Sequence, residues 1–268
     1  MAGNVGTPSI PFDGLIFQLD VGSYKCILES TDDISNGVRS IQTGSLVYGA
    51  QGSNQSDLGP DPSSMPAFNS DFGGIIDFTV GSNRGMEIGQ NLGNVSTDSL
   101  TYSFWVKRRT SDSYQTQYLF DARGGANGSG VWLLTNYQQG NINWFSQTGA
   151  EGLRYRFNEG GSYDQTQWPA GEWVHIVVIN DDPSRIYING SDRSAYAVFN
   201  GRMNGTLGRR KRIGTRYTDV NSWTEFMGPI HIYNKSLSSK EVSQLFDAYK
   251  GRFNAKSYED LAAQEGWS

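Results

Sequence analysis

From Gly74 to Asn234 the chain is cut into short runs of alternating apolar and polar residues, punctuated by turn residues and never by a ten-residue helical pattern. That spacing constrains the fold more than any other feature. Strands recurring every 8–12 residues or so pair antiparallel through tight connections, whereas a parallel sheet needs a crossover helix between successive strands. The runs are "GIIDFTV", "MEIG", "LTYSFWVKR", "QYLFDAR", "VWLLTN", "NINWFSQ", "LRYRF", "WVHIVVIN", "RIYING", "AYAVFN", "KRIGTR" and "EFMGPIHIYN". "DDPS" between the eighth and ninth predicts a hairpin. Upstream, "GLIFQLDV" (14–21) alternates well enough to be a first strand; from Tyr24 to Phe72 turn residues dominate, with short strands predicted at Val38 to Ile41 and Ser45 to Tyr48. The expected fold is all-β, an antiparallel β-sandwich of 268 residues with an N-terminal arm over 1–13, one domain over 14–253 and a C-terminal tail over 254–268.

One segment breaks the pattern. In "SLSSKEVSQLFDAYKGRF" (236–253), Ser238 and Glu241 have capping-box spacing, and Leu237 and Val242 occupy the staple positions. Val242, Leu245, Phe246 and Tyr249 form one apolar stripe, and Gly251 is placed to end the helix in a left-handed conformation, giving a helix over 239–250. Its polar face carries Ser239, Ser243, Gln244 and Asp247 rather than a basic band, which argues for a plug over a core and against a membrane-surface helix.

Composition narrows the function classes. A formal net charge of -5 weighs against nucleic acid as a partner. The one basic cluster, "GRRKRIGTR" (208–216), reads as a solvated loop leading into an edge strand, with an anion patch as the alternative. No apolar run reaches the ~20 residues that span a bilayer, so no membrane insertion is expected. The opening "MAGNVGTPSIPFDG" has no basic or apolar region of a secretory signal, and the single cysteine, Cys26, fits synthesis in a reducing cytoplasm.

The order "GLIFQLDV", "TYSFWVKR", "GEWVHIVV", "RIYING", "RIGTR" and "PIHIYNKSLSSKEVSQLFDAYKGRF" resembles the concanavalin A-like jelly-roll domains of the laminin-G-like type, over nearly the whole of 14–253. The ending "AYKGRF" resembles versions of this domain in structural proteins of tailed phages. That likeness implies a jelly roll, a virion surface location, and docking on capsid, fibre or tail proteins, with a trimer as the expectation from fibre-like proteins.

Three chemistries follow from the likeness and are weighed on the residues. Glucanases of this fold place carboxylates at alternate positions of one strand, but Glu29, Glu87, Glu151, Glu159, Glu172 and Glu225 each lack an acidic residue two positions away. Of the two histidines, His175 shares a strand face with Trp173 and Val177 and reads as a core residue, and His231 lies on the face opposite Ile230 and Ile232. No zinc or Cys/His nucleophilic set is visible, so no enzyme is expected. No cofactor is expected; calcium is allowed by the likeness, yet "STDDISNG" and "NDDPSR" follow no ligand ladder and read as ordinary turns. Glycan contact needs an aromatic face with Asp or Asn beside it, and the candidates are Asp121, Asn127, Trp144, Tyr163 and Trp168, with Trp105 and Trp173 set aside as core. In the tail, Ser257 and Asp260 predict a second short helix, and Tyr258, Leu261 and Trp267 are candidate anchors for a partner. The expected function is a non-enzymatic virion surface protein, a decoration, fibre or tail-associated component that also adheres to host glycan. The alternatives are a carbohydrate-binding lectin domain and, third, a polysaccharide hydrolase.

Overall fold

Period-two alternation along buried strands fixes the layers before any connection is traced. In Thr101–Lys107, Tyr102, Phe104 and Val106 belong to the main core, while Trp105 on the other face belongs to a separate cluster. Trp173–Ile179 repeats this, with Val174, Ile176 and Val178 in the main core and Trp173, Val177 and Ile179 outside it. A strand buried on both faces needs a layer on each side.

The structure is a computed structural model that describes residues 9–23, 38–39, 46–49, 65–80, 84–88, 95–96, 98–107, 116–122, 131–136, 141–146, 151–156, 171–198, 201–202, 211–216, 223 and 225–265. In chain order the strands begin with β1 (Leu15–Leu19), β2 (Val38–Arg39), β3 (Leu46–Gly49), β4 (Ala67–Asn69), β5 (Ile75–Asp77), β6 (Met86–Ile88), β7 (Thr101–Lys107) and β8 (Thr116–Asp121). They continue as β9 (Val131–Asn136), β10 (Asn141–Ser146), β11 (Glu151–Arg156), β12 (Trp173–Ile179), β13 (Arg185–Ile188), β14 (Ser191–Asp192), β15 (Lys211–Ile213) and β16 (Phe226–Tyr233). Two helices, α1 (Ser239–Phe253) and α2 (Tyr258–Glu265), close the chain.

The strands form two eight-stranded sheets whose described pairings are antiparallel. The first runs β14-β13-β12-β7-β16-β5-β4, with β1 joining the free end of β16. The second runs β11-β10-β9-β8-β15-β6-β3-β2. Between them lies the main core, where Phe104, Ile176, Ile230 and Ile232 of the first sheet are clustered with Met86, Phe120, Ile142 and Ile213 of the second. The β-sandwich expected from the spacing is therefore the fold, and "DDPS" does join β12 to β13 as a hairpin.

Helix α1 supplies the third layer. Ser238 accepts from the Glu241 backbone N–H (3.3 Å) and Glu241 accepts from the Ser238 N–H (2.8 Å), completing the capping box. Its stripe of Val242, Leu245 and Phe246 covers the outer face of the first sheet, packed with Val177, Ile179, Tyr187 and Tyr233 in one cluster and Trp105 and Trp173 in another. Burying each large apolar side chain contributes roughly 1.5–3 kcal/mol, so this stripe holds the helix to the sheet.

Several expectations change. Helix α1 ends at Phe253 rather than 250, because Phe253 docks its ring on Trp105 and Trp173, and the left-handed residue that ends it is Asn254 (φ 53°), not Gly251. Gly251 lies inside the helix with nothing beyond the helix's own nearby backbone within 4 Å of the place an alanine methyl would take, so Gly251→Ala is expected to stabilise the domain by about 0.5–1 kcal/mol in urea unfolding. The described part of "AYAVFN", Ala195 to Val198, is not a strand: Ser194–Tyr196 is a 3-10 turn, and Val198 donates its N–H to the Arg154 carbonyl. The end of the arm is not free, since Ile10 is buried with α1 and Lys235 bridges Asp13 (2.6 Å) and Glu241 (2.8 Å). The basic cluster is not an edge: Lys211 to Ile213 form β15 in the middle of the second sheet, with Arg212 buried against Glu87.

Candidate functional site

Under α1 the first sheet brings together groups that look reactive in isolation. Ser103 Oγ lies 2.9 Å from His175 Nε2, the spacing of a nucleophile and its base. Both residues are 0% exposed, Trp105 stacks on the imidazole at 4.8 Å, and His175 Nδ1 has no hydrogen-bond partner. With nothing to orient the ring and no room for a substrate, the pair is a packed core contact, as the alternation of "WVHIVV" predicts. His231 is equally buried, with its Nε2 3.4 Å from the Tyr249 hydroxyl. Burial, with the neighbouring His231 adding to it for His175, pushes both imidazoles down to about 3.

Several of the described carboxylates are held by cations. Glu87 accepts from Arg212 Nε (3.3 Å), Asp181 from Arg185 (2.9 Å), and Asp20 from Arg252 Nη1 at 2.8 and 2.9 Å. Lys211 sits beside Glu87, yet burial outweighs that charge and lowers its pKa. Among the described residues no three of His, Cys, Asp and Glu converge as a metal set, so calcium finds no ligand cluster there.

One exposed corner has the chemistry of a binding platform. In "SDFGG" (70–74), Phe72 takes a left-handed backbone (φ 52°, ψ 27°), which is rare for an aromatic residue and is followed by Gly73 (φ 74°) and Gly74 (φ 112°). A methyl on Gly74 would lie 2.5 Å from the Gly22 Cα, so the close approach of the two segments needs glycine. Arg252 fixes the turn: Nε donates to the Phe72 carbonyl (2.6 Å) and Nη2 to the Gly74 carbonyl, while Nη1 holds Asp20. The Phe72 ring is thereby presented 38% exposed, edge-on to Trp173 at 5.6 Å and 6.1 Å from Phe253. Behind it Trp173, Phe253 and Trp105 stack at 4.3 and 4.8 Å, so the ring rests on a rigid base.

Polar groups rim this ring. Lys107, at the end of β7 and in register with Trp173 and Phe226, places Nζ 5.3 Å from the Phe72 centroid. Glu172 accepts from Lys256 Nζ (3.0 Å) and Gln264 Nε2 (3.1 Å). Burial alone raises the Glu172 pKa, but those bonds and the charges of Lys256 and Lys107 hold it below its ordinary value. A partly exposed aromatic face with a cation and an amide–carboxylate pair at its edge suits a sugar ring, whose C–H face stacks and whose hydroxyls take the polar groups.

The residues expected to bind glycan are not gathered there. Asp121 is buried at 1% exposure in register with Arg212, so its carboxylate faces no solvent and the expectation is corrected. Trp144 lies mid-strand in β10, opposite Leu133 and the core residue Leu153, not at a strand end. Asn127, Tyr163 and Trp168 lie outside the described residues, as does Trp267. Tyr258 and Leu261 belong to the chain's own main core, capped by Ser257 and Asp260 as predicted, so they are not available to anchor a partner. Phe72 escapes sequence reasoning because its partners Arg252 and Trp173 are far away in sequence; the doubled glycine after an aromatic is the only local signal.

Two eight-stranded antiparallel sheets with a capped helix on one face define a concanavalin A-like sandwich. Residues 80–243 match the laminin-G-like family described as the concanavalin A-like lectin/glucanases superfamily, and the chain belongs to it. Among curated protein sequences none matches the chain. Similar solved structures include the botulinum neurotoxin serotype D ligand binding domain in complex with N-acetylneuraminic acid (TM-score 0.57, 14% identity, 88% of this chain and 51% of that one). The botulinum neurotoxin type G receptor binding domain is comparable (TM-score 0.56, 14% identity, 88% and 51%). Domain 4 of AbnA, an extracellular GH43 arabinanase from Geobacillus stearothermophilus, in complex with arabinotriose, gives a TM-score of 0.53 at 17% identity, with 88% and 98% covered. The chain spans about half the length of the neurotoxin chains. At these identities the likeness is one of fold.

Proposed function

We propose that this domain is a non-catalytic recognition module that binds a glycan. The observation that carries the reading is the Phe72 platform: a strained, partly exposed aromatic ring held rigid by Arg252 and rimmed by Lys107, Glu172 and Gln264. Support comes from neighbours of the same fold whose structures hold N-acetylneuraminic acid or arabinotriose. A non-enzymatic role is supported by the burial of the Ser103–His175 pair. The test is a glycan array followed by calorimetry. Phe72→Ala is expected to weaken binding about tenfold, since an aromatic stacking contact contributes roughly 0.5–1.5 kcal/mol beyond the area it buries. No binding to any glycan at millimolar concentration overturns the reading, and release of reducing sugar replaces it with the hydrolase.

The setting we propose is a tailed-phage particle, on which the module is a decoration, fibre or tail-associated component that meets host glycan. The ending "AYKGRF" supports it, and the same ending builds the platform through Arg252 and Phe253. Mass spectrometry of purified particles decides the point, with stoichiometric copies expected and absence from the particle overturning it. The trimer expectation is checked by light scattering.

A further inference from the structure

The platform's cations are not equivalent. Arg252 is saturated by Asp20, the Phe72 carbonyl and the Gly74 carbonyl, and Lys256 is engaged by Glu172 and Gln264. Lys107 alone of the three makes no ion pair or hydrogen bond among the described residues. Its ammonium stands 5.3 Å over the Phe72 ring, with Glu172 acting on it only at longer range. An ammonium over an aromatic face gains from the ring quadrupole but leaves its own donors unfilled by any acceptor. The indole N–H of Trp173, the ring against which Phe72 sits edge-on, is also buried without a partner. A neutral sugar would satisfy the stacking face and leave the Lys107 charge unanswered.

We propose that the platform takes an acidic saccharide, with Phe72 stacking on the sugar ring and Lys107 pairing with a carboxylate or sulfate carried by that ring or its neighbour. This rests on the glycan-binding reading and adds the charge of the ligand. Lysine acts here as a compact point charge on a flexible stem, so it accepts either anion; a planar, bidentate reader would need arginine. Because the pair forms at a partly exposed site, its contribution falls with salt.

The experiment measures binding of the full chain to three oligosaccharide sets matched in length: neutral, carboxylate-bearing (oligogalacturonate) and sulfated. Wild type is expected to bind an acidic set about tenfold more tightly than the neutral one at low salt, with the advantage shrinking at 0.5 M NaCl. Lys107→Gln is expected to bring the acidic-to-neutral ratio close to one, and Phe72→Leu, which keeps apolar packing on Trp173, to weaken all sets together. Near-UV circular dichroism checks that both variants keep the aromatic stack. The carboxylate and sulfate arms identify which anion is read. Equal affinity for neutral and acidic sugars that is still lost in Phe72→Leu overturns the charge assignment and leaves glycan binding standing. An acidic preference unchanged in Lys107→Gln also overturns it. Failure of every set to bind removes the underlying glycan reading instead.

Discussion

Between pH 7 and pH 4.5 the domain should lose about 5 kcal/mol of unfolding free energy, and the loss should begin near pH 6.5 rather than in the carboxylate range. The cause is the pair of imidazoles beneath α1. His175 and His231 sit at about 3 in the folded state because burial excludes the charged form, against 6.5 in the unfolded chain. The folded state therefore binds fewer protons: the stabilisation is complete above 6.5 and is lost as pH falls from there toward 3. At pH 4.5 each group sits about two units below its unfolded value, worth roughly 2–3 kcal/mol, and the two together approach half of a typical domain's stability. Among the described residues the groups facing them offer no carboxylate to hold the imidazolium: Ser103 and Trp105 from β7, Tyr249 and Phe246 from α1, and Tyr233 on β16, itself pushed up by burial, Tyr249 and Glu241. Glu172 and Glu241 are held below 4.5 and lose their contribution only at lower pH, so the two windows separate. Urea unfolding followed by tryptophan fluorescence reads this directly, and His231→Gln should halve the slope between pH 6.5 and 4.5. An unchanged urea midpoint between pH 7 and pH 5 would refute it.

What can be read in the sequence is what neighbouring residues decide. Strand alternation places Tyr102, Phe104 and Val106 on one face and Trp105 on the other, and the sandwich follows from repeating that choice. The start of α1 is equally local, because Ser238, Glu241, Leu237 and Val242 act within five positions. "RIYING" is legible in retrospect: Asn189 takes φ 48°, its amide oxygen accepts from the His175 N–H (2.8 Å), and its NH2 donates to the Lys256 carbonyl (2.9 Å). The end of α1 is not local, because Gly251 is the better left-handed residue by its own nature, while the stacking of Phe253 on Trp105 and Trp173 carries the helix past it.

The Phe72 corner and the basic cluster are hidden for the same reason as that helix end. Arg212 finds Glu87 across 125 positions, so four basic residues in a row read as a solvated loop when two of them, Lys211 and Arg212, are buried strand residues. Phe72 depends on Arg252, 180 positions away, and no local pattern announces that a turn phenylalanine will be held against a tryptophan. Aromatic residues in loops draw attention because exposure is the default there; Phe72, whose ring rests on Trp173 and Phe253, lies in the segment with the weakest periodicity.

Arg252→Ala should be the most damaging single substitution on the helical layer outside the aromatic stack, costing about 3 kcal/mol and abolishing the proposed glycan binding beyond what the lost stability explains. The Arg252 side chain is about one-fifth exposed and joins three segments: Asp20 after β1, the Phe72 turn, and the C-terminus of α1. Removing it takes the Arg252 pair from Asp20, 12% exposed at its side chain, and breaking a buried pair costs about 3–5 kcal/mol, of which a partly exposed pair realises the lower end. It also frees two carbonyls of a turn whose left-handed Phe72 costs of order 1–3 kcal/mol to maintain. Without the clamp that strain is released by rotating Phe72 into the extended region, and the ring leaves Trp173. Arg252→Lys should recover little, because a point charge cannot serve a carboxylate and two carbonyls in one plane. Asp20→Asn should cost stability but keep the turn, since the bonds from Nε and Nη2 remain. The measurement is paired: urea midpoints give the stability loss, and calorimetry at a temperature where every variant is folded gives the binding loss. If Arg252→Ala binds glycan as tightly as Asp20→Asn under those conditions, the clamp holds the fold together and does nothing to present Phe72.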